Sequence, residues 1–435
     1  MPICGGMRVL VLGSGGREHA LVWAIARSPL VDEVVCAPGS DGIAPEARIE
    51  PLALGDPEAV LALVRRESPG LVVVGPEDPL VSGIADRIGA LGVPVFGPSG
   101  EAAQLEGSKA FAKAFMARHR IPTADFRVFD EADEADRWIA TQDRPLVVKA
   151  DGLAAGKGVA VCDDAAQARQ AIAEVMRDRR FGEAGRRVVI EERLFGEEAS
   201  FYAISDGEHF VCLPSAQDHK RALDGDQGEN TGGMGAYSPA PLVDAEVAAR
   251  VIERIVRPAL DGMRAEGRPF RGVLYVGLMI DRGEPSVVEF NVRFGDPETQ
   301  AILYRLESDL VPVLLAAAGG RLAPELEKDL RFGDPAVCVV VASPGYPRDY
   351  PTDIEIRGLE VVAELPDVKV FHAGTRHAAK DGWRTAGGRV LGTTARGATI
   401  EAARERAYAA VSRIAFEGAQ HRTDIAARAA RHATR

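Results

Sequence analysis

The sequence predicts a multidomain protein, α/β at its N-terminus and mixed α+β beyond. Three observations carry this. Apolar, β-rich runs alternate with helically spaced segments from Met7 to about residue 97, and the rhythm changes after about residue 121. The chain is also 435 residues long, which at about 150 residues per domain suggests roughly three domains.

In order, Met7–Gly13 (MRVLVLG) is an apolar strand and 17–27 a helix. A short strand over 33–38 follows, then the helix PEAVLALVRRE, which starts with proline at its first turn. Residues 71–75 (LVVVG) form a strand, 81–91 a helix and 93–97 another strand. Strands apolar on both faces, alternating with helices, mean a parallel sheet covered on both sides. Residues 108–119 form an amphipathic helix. Strands at 126–129, 146–149, 159–162 and 188–192, with helices at 132–141 and 165–177, outline a small subdomain. Strands follow at 200–205, 209–215, 272–281 and 286–291, with long helices at 245–266 and 297–318. Residues 332–335 read as a linker. The tail adds strands at 336–342, 368–373 and 389–395 and a helix over 400–417.

Composition narrows the function. The net charge of −12 argues against a nucleic-acid-coated surface but allows a basic cleft for small anions. No run reaches the length of a membrane span, and MPICGG does not read as a signal peptide. The five scattered cysteines, never spaced C-x-x-C, suit a reduced cytoplasm.

Five segments could carry chemistry. Gly13-Ser14-Gly15-Gly16 follows a strand and precedes a helix, where backbone N–H groups can meet a phosphate. A plain tight turn fits it equally well, and Glu18 replaces the third glycine of a dinucleotide fingerprint. The loop from Lys149 to Gly158 holds three glycines between two strands. It can fold over a triphosphate, although a solvated hairpin tip would look similar. The strand 188–192 runs into Glu191, Glu192, Glu197 and Glu198, carboxylates that could reach ribose hydroxyls, with backbone groups for an adenine edge, although on its own the segment reads better as a strand ending at a charged surface. In VVEFNVRFGDPE, Glu289 and Asn291 share a strand face as hard oxygen ligands for Mg²⁺, and Arg293 extends it. Finally, Asp218-His219-Lys220-Arg221 and the glycine-dense run 228–237 look like an anion-binding loop.

In combination, these segments resemble the ATP-grasp superfamily and, within it, the phosphoribosylamine–glycine ligase family. The carrying blocks are VLVLGSGGREHAL, VVVGPEDPLVSGI, FGPSGEAAQLEGSKAFAK, VVKADGLAAGKGV, QDHKRALDGDQGENTGGMGAYSPAP and VEFNVRFGDPETQ, in family order. The resemblance implies an N-terminal α/β domain over 1–107 and an ATP-grasp domain over 108–330 with a mobile lid at about 122–196. A β-rich C-terminal domain over 331–435 completes the chain. It implies ligation of glycine to 5-phosphoribosylamine at the expense of ATP, through a glycyl phosphate, in purine biosynthesis. Mg²⁺ or Mn²⁺ would assist, in a cytoplasmic monomer or homodimer that binds neither nucleic acid nor membrane.

The same resemblance assigns Lys109 and Lys149 to the ATP phosphates or the adenine side, and closes the loop Gly156, Lys157 and Gly158 over the phosphates. Glu191 and Leu194 fall on the adenine side, and Glu198, with Glu197, on the ribose. Glu289 and Asn291 match the metal ligands. Gly13, Gly15, Gly16 and Arg17 would meet the phosphate of phosphoribosylamine. Asp218, Lys220, Arg221, Gly233 and Arg293 would surround glycine, with Lys149 and Arg293 as the catalytic cations. The strand Leu274–Met279 lacks the further acidic metal ligand of many ATP-grasp enzymes, as is usual for this branch, and Glu229 stands where the family commonly has proline before Asn-Thr-Gly-Gly.

Overall fold

The computed structural model describes residues 6–154, 157–323, 325–378 and 382–431. Gly156 therefore lies outside the described residues.

The N-terminal part is a five-stranded parallel sheet. Met7–Gly13 runs at its centre, between Val31–Pro38 and Leu71–Val74. Val9 to Leu12 are fully buried because helices cover both faces. The helix Pro57–Glu67 is capped by Asp56, whose carboxylate accepts the N–H groups of Glu58 and Ala59. The helix expected over 81–91 is two short ones, Glu77–Val81 and Ile84–Gly89, because Gly83 between them takes φ +78°.

The small subdomain is an antiparallel sheet in the order Phe126–Phe129, Val188–Glu192, Leu146–Ala150, Val159–Cys162. Its own core, including Phe129, Ile139, Val148 and Ile190, packs under two helices. A second, eight-stranded sheet runs from Glu284–Asn291 through Arg271–Asp281, Glu197–Asp206 and Phe210–Asp218 to Gly235–Ser238. It continues into Ala336–Ala342, Arg389–Arg396 and Val368–His372. This sheet crosses the boundary expected near residue 331, so the chain's last hundred residues share backbone hydrogen bonds with the central part. The strand Gly235–Ser238, read from sequence as loop, is the bridge.

Two of the expected helices are shorter than the sequence pattern suggests. The segment 297–318 is Glu298–Tyr304 and Val311–Ala318. The turn between them is fixed by Asp309, whose carboxylate accepts from Val311 N–H and Ser28 Oγ–H. The helix expected over 400–417 stops at Val411, and the following residues bridge Ala415 to Arg357. Among the described residues no helix is long and apolar enough to cross a membrane.

Candidate active site

A cleft of about 1030 Å³ opens between the small subdomain and the eight-stranded sheet. At one end it is walled by lysines. The helix Lys109–Arg118 begins where Ser108 Oγ accepts the N–H of Phe111 and the Asp151 carboxylate accepts that of Ala110. This cap ties the helix to the loop after the strand Leu146–Ala150. Lys109 and Lys113, four residues apart, then project from one face. Lys113 Nζ lies 3.0 Å from one oxygen of Glu191, and Lys149 Nζ 2.9 Å from the other. Lys149 also donates to the Val288 carbonyl at 3.0 Å, and Lys109 to that of Gly152 at 3.1 Å. All four side chains line the cleft. Burial depresses Lys109, and it brings Lys113 down to about 8 against the pull of Glu191.

The floor is the strand Glu284–Asn291. Glu289 and Asn291 both reach the cleft, as their two-residue spacing requires. Lys220 bridges the strand to Glu197–Asp206, two strands away in the sheet, with Nζ 3.1 Å from Glu198 and 3.6 Å from Glu289. Burial favours protonation of Glu289. Lys220, Lys149, Lys109 and Arg293 outweigh that and hold it down at about 2. An ionised carboxylate beside an amide oxygen is a donor set for a hard divalent cation. Among the described residues no three His, Cys, Asp or Glu side chains converge on one point. A cation here would therefore draw most of its ligands from nucleotide phosphates, as Mg²⁺ commonly does.

Toward the N-terminal part the cleft turns acidic and guanidinium-rich. Arg293 pairs with Glu77 and Glu106, each at 3.1 Å. Burial raises Glu106 to about 7 despite Arg293, whereas Arg293 and Arg17 overcome burial and hold Glu77 near 2. Asp218 is buried and pushed up to about 7, Lys220 opposing. Glu298, also buried, accepts from Tyr275 Oη–H at 2.7 Å and from Ser200 Oγ–H at 3.3 Å.

The structure gathers Arg17, Lys109, Lys149, Gly158, Glu191, Leu194, Glu197, Glu198, Asp218, Lys220, Arg221, Glu289, Asn291 and Arg293 in this one cleft. Gly13, Gly15, Gly16, Lys157 and Gly233 are not in its lining. Lys157 Nζ instead donates to the Pro347 carbonyl of the C-terminal part. Gly233 turns the backbone at φ +109°, where a Cβ would lie 2.5 Å from Pro297 Cδ. The N-terminal turn holds intramolecular carboxylates. Gly15 N–H donates to Glu18 at 2.7 Å and Arg17 N–H to Asp296 at 3.2 Å. Glu191, expected beside adenine, is the shared partner of two lysines, and Glu198 pairs with Lys220.

Sequence reasoning missed Lys113, Glu77, Glu106, Glu298 and Arg389. Lys113 had a signal: it repeats Lys109 at helical spacing. Arg389 had none, since its partners Asp296 (carbonyl, 2.7 Å) and Gly232 (carbonyl, 2.5 Å) are distant in the chain. The described cysteines are free, and burial raises Cys36, Cys162, Cys212 and Cys338, so none is poised as a thiolate.

Three family models match in register with this layout: the N domain of phosphoribosylglycinamide synthetase over residues 7–106, its ATP-grasp (A) domain over 107–299 and its C domain over 336–428. The chain belongs to the phosphoribosylglycinamide synthetase family. Phosphoribosylamine–glycine ligase of Salmonella typhimurium is 51% identical over 427 residues, covering 97% of this chain and 99% of that protein. Its counterpart in Xanthomonas axonopodis pv. citri is 52% identical, with 97% and 98% covered. The crystal structure of phosphoribosylamine–glycine ligase from Thermotoga maritima superposes with TM-score 0.83 at 36% identity, covering 96% of this chain and all of that one. A biotin carboxylase from Campylobacter jejuni shares the fold, with TM-score 0.73 at 14% identity over 95% of this chain and 93% of its own.

Proposed function

We infer that the cleft joins glycine to 5-phosphoribosylamine with the hydrolytic energy of ATP, giving glycinamide ribonucleotide, ADP and phosphate in purine biosynthesis. Family membership supports the reaction. One observation supports its placement here: a lysine-walled end and an Arg293–Asp218–Glu298 end meet at Glu289 within a single cleft.

ATP enters between the small subdomain and the sheet, its base toward Leu194 and Glu191 and its ribose toward Glu197 and Glu198. Lys109, Lys149 and Gly158 face the phosphates. Glu289 and Asn291 hold Mg²⁺ or Mn²⁺, which when bound neutralises phosphate charge. Glycine lies with its ammonium toward Asp218 and Glu298 and its carboxylate toward Arg293, with Lys220 and Arg221 alongside. Phosphoribosylamine enters against Arg17, where the Gly13–Gly16 turn meets Asp296 and Arg389.

A carboxylate resists attack by an amine. One glycine carboxylate oxygen therefore attacks the γ-phosphorus, ADP departs, and glycyl phosphate forms. The amine of phosphoribosylamine attacks its carbonyl carbon, loses a proton, and phosphate leaves. Lys149 and Arg293 offset the repulsion between the two approaching anions, so positioning and electrostatics supply the catalysis. The subdomain shields the acyl phosphate from water. Tests of ADP release with each substrate omitted in turn check the reading: sustained turnover requires glycine and phosphoribosylamine together. ADP release that is indifferent to glycine would refute it.

A further inference from the structure

The segment Asp218–Gly233 contains a hairpin with few contacts of its own, its backbone pairing and the Arg221 Nη1–Gly228 carbonyl bond at 2.7 Å. Arg221–Leu223 pairs with Gln227–Asn230 as an isolated two-stranded ribbon. Leu223 is 55% exposed, and the turn takes positive φ at both Gly225 and the non-glycine Asp226. Two-stranded ribbons are marginal alone in water, so the hairpin's shape is imposed from outside.

The C-terminal tail imposes it. Arg422 is 1% exposed. It grips Asp424 with Nε and Nη2, both at 2.7 Å, and spends Nη1 on the hairpin, reaching Asp226 at 2.8 Å and the Arg221 carbonyl at 3.1 Å. Thr423 N–H donates to Asp224 at 2.8 Å, and Gly225 N–H to Asp424 at 2.9 Å. The tail is itself fastened. Tyr408 Oη donates to the Arg422 carbonyl and accepts from Ile425 N–H, while Ile425, Ala426 and Ala429 are buried in the C-terminal core. At the hairpin's root, Thr231 returns its N–H and hydroxyl to the Lys220 carbonyl, and Lys220 carries the contacts to Glu198 and Glu289.

We propose that Arg422 is a positioning residue for the ligation: through the hairpin and its root at Thr231 it sets Lys220 against the glycine end of the cleft, beside Asp218, which the sheet already holds through its pairing with Ala236. It touches no substrate, since it does not line the cleft. The ATP end, built from the strands of the small subdomain and the helix Lys109–Arg118, receives no contact from it. The proposal rests on the glycine placement given above.

Steady-state kinetics of the full chain test it with Arg422→Gln, Arg422→Lys and Asp226→Asn, the last removing that contact, together with the 3.3 Å contact from Arg428, from the hairpin side if the first fails to fold. The KM for glycine should rise about tenfold or more in Arg422→Gln and Asp226→Asn while the KM for ATP stays within about twofold. Arg422→Lys should recover part of the loss. Amide hydrogen exchange over 221–230 should accelerate in step. A purely structural role would lower melting temperature and active fraction without splitting the two KM values, and that result overturns the proposal. So does an unchanged glycine KM in a folded variant. Asp218→Asn separates the two readings: if it leaves the glycine KM unchanged, the glycine placement is what fails.

Discussion

Replacing Lys149 with methionine should remove far more activity than stability. The ammonium makes two contacts, to Glu191 at 2.9 Å and to the Val288 carbonyl at 3.0 Å. Stripping one partner from a buried ion pair commonly costs about 3–5 kcal/mol, because a charge is left unpaired. Glu191 escapes that fate: Lys113 remains 3.0 Å from its other oxygen. The loss is then closer to that of hydrogen bonds to a charged group, about 1.5–3 kcal/mol. Methionine fills much of the vacated stem volume. For catalysis no substitute exists, and losing one preorganised donor to developing charge typically lowers kcat by about 10²–10³. Coupled ADP-release kinetics and thermal unfolding on the same preparation measure both effects. A folded Lys149→Met enzyme with kcat within tenfold of wild type would refute the assignment of Lys149 to the phosphoryl group. Loss of folding outright would refute the argument that Lys113 suffices for Glu191.

Glu289→Ala should abolish turnover and the metal dependence of nucleotide binding, read by calorimetry with and without Mg²⁺, because Glu289 is the charged member of its ligand pair. Gly158→Ala should raise the ATP KM and lower kcat together, since its Cβ would sit 2.7 Å from that of Ala154 and 3.1 Å from that of Ala150. Gly16→Val should raise the KM for phosphoribosylamine more than that for ATP and also lower the melting temperature, because a Cβ there meets Gln300 Nε2 at 2.6 Å. Glu106 sets a pH dependence. Its folded value of about 7 lies above its ordinary 4.5, so the native state binds its proton more tightly than the unfolded chain. Its contribution is complete below about 4.5 and is lost as the pH rises toward 7. Glu106→Gln should therefore flatten the fall in melting temperature between pH 5 and 7, and an unchanged slope would show that the carboxyl is ionised throughout.

The N-terminal sheet and the small subdomain were legible because their strands are local, apolar and punctuated by glycine. Met7–Gly13, Pro57–Glu67 and Val188–Glu192 appear where the pattern put them. Gly235–Ser238 was not legible: it is glycine-led, four residues long, and a strand only because Ala336–Ala342 comes back to pair with it. The chemistry-bearing side chains divide in the same way. Glu289, Asn291 and Lys149 announce themselves as polar residues on apolar strands. Glu77, Glu106 and Arg389 look like ordinary surface charges until tertiary packing brings them to Arg293 and Asp296. The phosphate reading of the N-terminal turn needs free N–H groups; Glu18, three residues after Gly15, has the spacing to accept one, but nothing local shows that Asp296 accepts another.

The central claim, that one cleft activates glycine by phosphorylation before the amine attacks, is tested most directly by isotope transfer. Glycine labelled with ¹⁸O in its carboxylate is turned over with ATP and phosphoribosylamine, and the released phosphate is analysed by mass spectrometry. Passage through glycyl phosphate predicts one labelled oxygen in each phosphate formed, with the other retained in the amide of glycinamide ribonucleotide. Phosphate released without label, while the amide still forms, would contradict the account.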